Sequence, residues 1–572
     1  MLNTDNFTVR KTFFLYLIIY VFFSSLLHSQ NLLLKIEGET ERETTLIDSI
    51  TYKKIHLDYA SIKNEVLSLQ NTVLKNGYIE NDFKGINKIN DTVFLASLHL
   101  KKKYQKLSIY YDTSILDKKL LQLISKDIFK DHFIIDIKNT DDVLNFINAK
   151  ISEKGYPFSR LYLSDITIKD NTNLEANLIV ESNEQKRTIN NIVIKGYEKF
   201  PRSFLKHYIK IKPSQTFNLD AIKKKSEKFR DLRFVTEAKA PEILFSKDST
   251  TLYLYLNKTK SNSFDGFLGF GTNDKTNKLD FNGYLDLNLT NNLNYGESFK
   301  LLYKGEQNEQ KLFETNLTLP YLFKSPIGLD LALRIFNKDS SFITVNQSAK
   351  IHYQINPNQK VSSGILSIQS NNLLNINTSS TIVDYKSNYF TLAYQFLKRQ
   401  SHNAIFPIKT NVSIETNFGK RKQTSQTEQQ SLIALDAYKI FNLDPKNSIF
   451  LRTQGTTLNS NTYLENELIR FGGINSLRGF EENSIYATLY GLINTEYRFL
   501  LNNNLYAHTL TDAAYLENKI TATKQKLFGY GIGFGLFAKT GLFKLNYAIG
   551  HTENQDFNFS NYKIQISFIS SF

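Results

Sequence analysis

From Phe264 to the C-terminus, apolar and polar residues alternate with a period of two, and this pattern governs what the second half of the chain can fold into. In "FGYGIGFGLFA", Phe528, Tyr530, Ile532, Phe534 and Leu536 share one face, and Gly529, Gly531, Gly533 and Gly535 share the other. "FKLNYAIG" sets Phe543, Leu545, Tyr547 and Ile549 against Lys544, Asn546, Ala548 and Gly550, and "YKIQISF" sets Tyr562, Ile564, Ile566 and Phe568 against Lys563, Gln565 and Ser567. A soluble sandwich alternates too, so number and composition must decide. Such segments recur roughly every 15 to 20 residues between polar turns such as "LTNNLN", "INPNQ", "NLDPKNS" and "LLNNN", which gives about 14 to 18 strands, more than a sandwich uses. Single-chain bacterial barrels have even strand numbers, so about 16 are expected. The 43 Phe and 32 Tyr provide side chains for lipid-facing and interfacial positions.

Composition removes several alternatives. The chain has no cysteine, which excludes disulfide frameworks, thiol catalysis and CxxC zinc sites. Its net charge of +15 comes from lysines spread along the whole length rather than gathered on one recognition face, so nucleic acid is not an expected partner. Nine histidines are scattered, and HExxH, GxSxG and P-loop patterns are absent. The glycines of "GYGIGFG" alternate within a strand instead of leading into a helix. No catalytic residues, metal ligands or cofactor are expected, and the chain reads as a non-enzyme.

Ahead of the barrel the texture differs. Arg10 and Lys11 precede an apolar run from Phe13 to Leu27, then His28-Ser29-Gln30, the plan of a secretory signal over residues 1–29. The run falls short of the roughly 18 residues a spanning helix needs. Residues 30–104, 105–184 and 185–260 then repeat one order of elements, a strand, two helices and two closing strands, before the barrel at 261–572. The third copy is the clearest. It opens at Ile189 to Ile194, offers Asn218 or Asp220 as cap for a helix carrying Ala221, Ile222, Phe229 and Leu232, and closes with Leu252, Leu254 and Leu256 alternating. Gly77-Tyr78 and Gly155-Tyr156 stand where helix C-caps belong in the first two copies. This order resembles POTRA domains, the periplasmic polypeptide-transport-associated modules. A small sheet with an open edge can add an extended client by backbone pairing that ignores client sequence.

One segment breaks the alternation. "RFGGINSLRGF" carries two adjacent glycines and Arg478-Gly479-Phe480 ahead of the last strands. With three such modules and a barrel of this size, it resembles the BamA/TamA-like outer-membrane assembly and secretion superfamily of POTRA-plus-barrel proteins. The signature of that family is a V/I-R-G-F/Y tip on a long loop after the eleventh strand, folded into the lumen; Leu477 stands here in place of the β-branched residue. The resemblance implies that Arg478 pairs with an acid of an F-x-D-x-G strand, matched by Leu510, Asp512 and Ala514. In "LINTEYRFLL", Asn494, Glu496 and Arg498 fall on the face opposite Ile493, Tyr497 and Phe499, so Glu496 is a second lumenal candidate. A terminal Phe572 in register with Tyr562, Ile564, Ile566 and Phe568 resembles the C-terminal insertion signal of such barrels.

The expected fold is therefore α+β periplasmic modules followed by a 16-stranded antiparallel transmembrane barrel, in the outer membrane of a Gram-negative cell. The resemblance implies an assembly factor that captures client strands with its POTRA domains and inserts them through a barrel seam. The seam would lie between Gly266, Leu268 and Gly269 of the first strand and Ile564, Ile566 and Phe568 of the last. Glycines would weaken pairing on one side, and Ser570-Ser571 would interrupt the apolar face on the other. Unfolded outer-membrane proteins are the implied clients, lipid and lipopolysaccharide the surroundings, and periplasmic or lipoprotein subunits the accessory partners. The alternative is a two-partner-type secretion transporter that passes a protein substrate through the lumen.

Overall fold

The polar turns do close hairpins. In the computed structural model, the alternating half is one 16-stranded antiparallel sheet running from Ser263–Thr272 to Tyr562–Ser570, each strand bonded to its sequence neighbour. The described residues run from 31 to 570, less 182–184, 273–278, 306–309, 375–380, 401–402, 404, 539–540 and 554–561. The side chains of 267–282 and 568–570 lie outside the described part, as do the signal segment expected at 1–29 and Phe572. The four turn signals read from the sequence fall at 291–297, 357–358, 443–446 and 501–504, all after even-numbered strands and so all at one end of the sheet. No described helix is long and apolar enough to cross a membrane.

Side chains sort by the two-residue period. Tyr530, Ile532, Phe534 and Leu536 are exposed on the outer face, while Gly529, Gly533 and Gly535 are buried on the inner one. Ile549 departs from its row and is buried near the far end of its strand.

The chain divides into two compact units, Met1–Arg187 and Thr188–Phe572. The first holds two α+β modules. In the leading one, Asp58 caps the helix Tyr59–Lys75 by accepting from the Ser61 amide at 2.7 Å, and Ile62, Val66, Leu69 and Val73 turn its buried stripe onto a four-stranded sheet. Gly77 and Gly155 follow the long helices at φ of +99° and +103°, the left-handed stop their positions suggested. Both modules depart from the expected order: in the first, the two-residue strand Ile55–His56 lies between the helices and pairs with Leu32–Glu37, and the second departs further. A short hairpin, Asp127–Ile128 with His132–Asp136, sits between its helices and makes a five-stranded sheet. Its cause is local: Lys130-Asp131 turns the chain so that the Phe129 amide donates to the His132 carbonyl at 2.8 Å.

The second unit begins with the third module. Asn218, not Asp220, caps the helix Leu219–Ser226, its side-chain oxygen accepting from the Ala221 amide at 2.8 Å. Leu252, Leu254 and Leu256 bury one face of their strand against Phe217, Ile222 and Phe229. The module rests on the turns of the large sheet: Tyr197 donates to Asn294 Oδ1 at 2.6 Å and accepts from Asn291 Nδ2 at 2.8 Å, and Phe204 meets Tyr321 edge to face, centroids 4.8 Å apart.

The two outermost strands decide how the large sheet closes. Ser263–Thr272 pairs without a break with Leu279–Thr290, so on this side of the strand Gly266 and Gly269 lie inside an intact ladder. Tyr562–Ser570 pairs likewise with Gly541–Thr552. Among the described residues no ladder joins the first strand to the last, although their Cα atoms come within 8 Å.

Candidate functional site

The long segment after the eleventh strand, Asn447–Asn459, folds back on itself: Ile469–Phe471 pairs antiparallel with Ile485–Ala487 and carries the tip, 472–484, against the inner face of the sheet. Apolar packing sets its depth. Leu477 is fully buried among Phe471, Tyr490, Leu492, Ala514, Leu516 and Leu527, so the residue that replaces the expected β-branched one works as the plug of a small core. Ala514 belongs to that core.

Arg478 then reaches its partners. Its Nε donates to Asp512 Oδ2 at 2.8 Å, its Nη2 to Asp512 Oδ1, and its own backbone amide to Asp512 Oδ2 at 3.0 Å. The third nitrogen, Nη1, pairs with Glu496 Oε1. This is the two-pronged geometry that a planar guanidinium offers a carboxylate. Asp512 is 1% exposed and Arg478 4%, so neither charge is stabilised by water. Balance comes from a fourth group. Arg498 donates to Glu496 Oε2 at 2.7 Å and lies 4.3 Å from the Phe406 ring centroid and 4.1 Å from that of Phe450. Two guanidinium groups and two carboxylates sum to zero, the condition under which desolvated charges can be kept.

Asp512 and Glu496 are thus brought to the loop arginine, and Arg498, which the sequence placed only on the inner face, joins them. Phe480 sits lower in the same tip, its carbonyl accepting from Gln565 of the last strand at 3.4 Å, and Glu481 meets Lys563 at 2.9 Å. Ile564 and Ile566, on the opposite face of that strand, are 60% and 62% exposed. Leu268, Gly269 and Phe568 are placed by their backbone ladders alone.

Sequence reasoning missed what makes room for the loop. Gly479 has φ of +88°, and a Cβ there would stand 2.5 Å from the Gly550 amide. A Cβ on Gly529 would fall inside van der Waals contact with the Arg478 carbonyl. The close approach therefore comes from glycines on two neighbouring strands, Gly529 and Gly550, and not from position 514. The alternating glycines of "FGYGIGFG" were the visible signal. Two further bonds hold the tip: Asn494 Nδ2 to the Ser476 carbonyl at 2.9 Å and Arg452 Nη1 to the Asn475 carbonyl at 2.7 Å.

Residues 284–568 match the Omp85 superfamily domain, and residues 187–257 match the surface antigen variable number repeat, a POTRA family. No curated protein matches the chain. Among solved structures it is similar to CdiB from Escherichia coli, at 12% identity and a TM-score of 0.51, over 90% of this chain and 98% of that one. It is also similar to CdiB from Acinetobacter baumannii, at 14% identity and a TM-score of 0.49 over 82% and 90%. BamA from Haemophilus ducreyi lacking POTRA domains 1–3 gives 16% and 0.49 over 81% and 99%. At these identities the likeness concerns fold, and the Escherichia coli protein extends it over nearly the whole chain.

Proposed function

Because this chain belongs to the Omp85 superfamily, with its barrel in the outer membrane of a Gram-negative cell and its POTRA domains in the periplasm, we propose that it inserts client barrels into that membrane. The observation that carries this reading is the seam. The first and last strands, Ser263–Thr272 and Tyr562–Ser570, run side by side with no ladder between their described residues. A strand without a partner keeps a row of free amides and carbonyls, which in lipid are costly to leave unmet and which an extended client can satisfy. Parting such a seam breaks few backbone bonds, and the client would leave sideways into lipid.

The occupied lumen supports the same route. A secreted chain passing through the barrel must first displace a loop held by a neutral cluster of four buried charges, whereas lateral release leaves the loop in place. Capture would fall to open sheet edges of the periplasmic modules. In the second, Arg160–Ile168 is an edge strand with Ile166 and Ile168 more than half exposed. The clients on this reading are unfolded outer-membrane proteins, and lipopolysaccharide and accessory lipoproteins are further partners.

Depleting the protein and measuring the outer-membrane proteome tests the proposal. Loss of many barrels is expected. Loss of a single exported protein, with other barrels unchanged, replaces it with a dedicated secretion transporter.

A further inference from the structure

The tip of the folded-back loop is held by Arg478, but the base of the same loop carries a second buried ion pair, made to a different set of strands. Glu467 lies where the loop leaves the short turn Glu465–Glu467, and Arg421 lies in the ninth strand, Ile408–Lys422. Arg421 Nη1 pairs with Glu467 Oε1, and the arginine is fully buried, 0% exposed. Its two terminal nitrogens also bond the same segment, Nη2 reaching Thr462 Oγ1 at 2.6 Å and Nη1 the Thr462 carbonyl at 3.2 Å, while the buried Nε meets no partner among the described residues. The second oxygen of Glu467 accepts from Gln430 Nε2 at 3.1 Å, and Gln430 in turn accepts from the Tyr389 hydroxyl at 2.7 Å. Beside it, Asn466 Nδ2 donates to Ser370 Oγ and to the Val383 carbonyl, each at 2.9 Å.

These bonds tie the base to strands seven to ten, while Arg478 ties the tip to strands twelve and thirteen. Nothing in the first anchor requires the second. We infer that Arg421 and Glu467 are positioning residues which make the loop a strut fixed at both ends, so that breaking either anchor alone leaves it inside the lumen. The physical reason is that the surviving anchor turns the release of the other end into an intramolecular equilibrium. The freed end stays at high local concentration beside its former partners and rebinds. The inference deepens the insertion reading, because a strut keeps the lumen shut while the seam opens.

The test compares three variants of the purified full chain in planar bilayers. In the first, Arg478→Met with Asp512→Asn breaks the tip. In the second, Arg421→Met with Glu467→Met breaks the base without stranding a buried charge. The third combines them. Folding of each is checked by heat-modifiable migration in gels. Conductance close to that of the unmodified protein is expected for either pair alone, and a rise of roughly tenfold for the combination. The inference is overturned if the tip variant alone, or the base variant alone, already conducts like the combination, or if the combination conducts like the unmodified protein. Should the Met pair fail to fold, the exchanged pair Arg421→Glu with Glu467→Arg takes its place, with Arg421→Glu alone added to the broken tip as the open control. Expected then is low conductance for the exchanged pair on a broken tip, and high conductance for the control; equal conductance of the two sinks the idea. The measurement uses no client, so its failure leaves the insertion reading to be decided by the proteome.

Discussion

At the scale of single residues, the loop tip depends on charge and on missing atoms in equal measure. Replacing Asp512 with Ala leaves Arg478 with Glu496 alone, a carboxylate already shared with Arg498. The expected loss is about 3 kcal/mol of barrel stability, the range for breaking a buried pair, read from urea unfolding of the refolded protein. Glu496→Gln keeps the Asp512 fork intact and is expected to lose less. Gly529→Ala alters no charge, yet its methyl must displace the Arg478 carbonyl. An overpacking loss of roughly 1 to 3 kcal/mol is expected, together with reduced client insertion. Unchanged stability and activity in Gly529→Ala would show that the loop does not need its close seat.

At the scale of elements, the seam is the part whose behaviour the fold bears on most. Cysteines at positions 268 and 566 tie the first strand to the last, and the chain has no other cysteine to compete. Oxidation is expected to stop insertion and reduction to restore it, measured on a model barrel substrate; full activity of the oxidised form rules out lateral opening. Elements also separate what the sequence made legible from what it hid. Alternation and turn chemistry are local, so "LTNNLN" and "LLNNN" marked turns that the structure places at one end, and the number of strands followed. The pairing of Arg478 with Asp512 was legible only through its motif, since 34 positions separate the two. Gly550 and Arg421 had no such flag. Each acts on a backbone or side chain far along the chain, and a strand pattern tells which face a residue takes but not what will press against that face. The hairpin at Asp127–Ile128 was missed because two residues are too few to show a period.

At the scale of the whole molecule, the division at Arg187 and Thr188 predicts which part folds without the other. Removing residues 31–187 is expected to leave a heat-modifiable barrel with its third module attached, while client insertion falls for want of the open edge at Arg160–Ile168. Normal insertion by the shortened protein would move client capture to the third module. The same division has a bearing on ancestry and engineering. Tyr197, Phe204 and the turns they rest upon form one interlocking surface, so a chimera spliced just ahead of Thr188 inherits that surface whole, whereas one spliced near residue 261 has to mate parts from two lineages. Related proteins should therefore exchange their outer periplasmic arms freely, yet transmit this last module and the cylinder beneath it as a single heirloom.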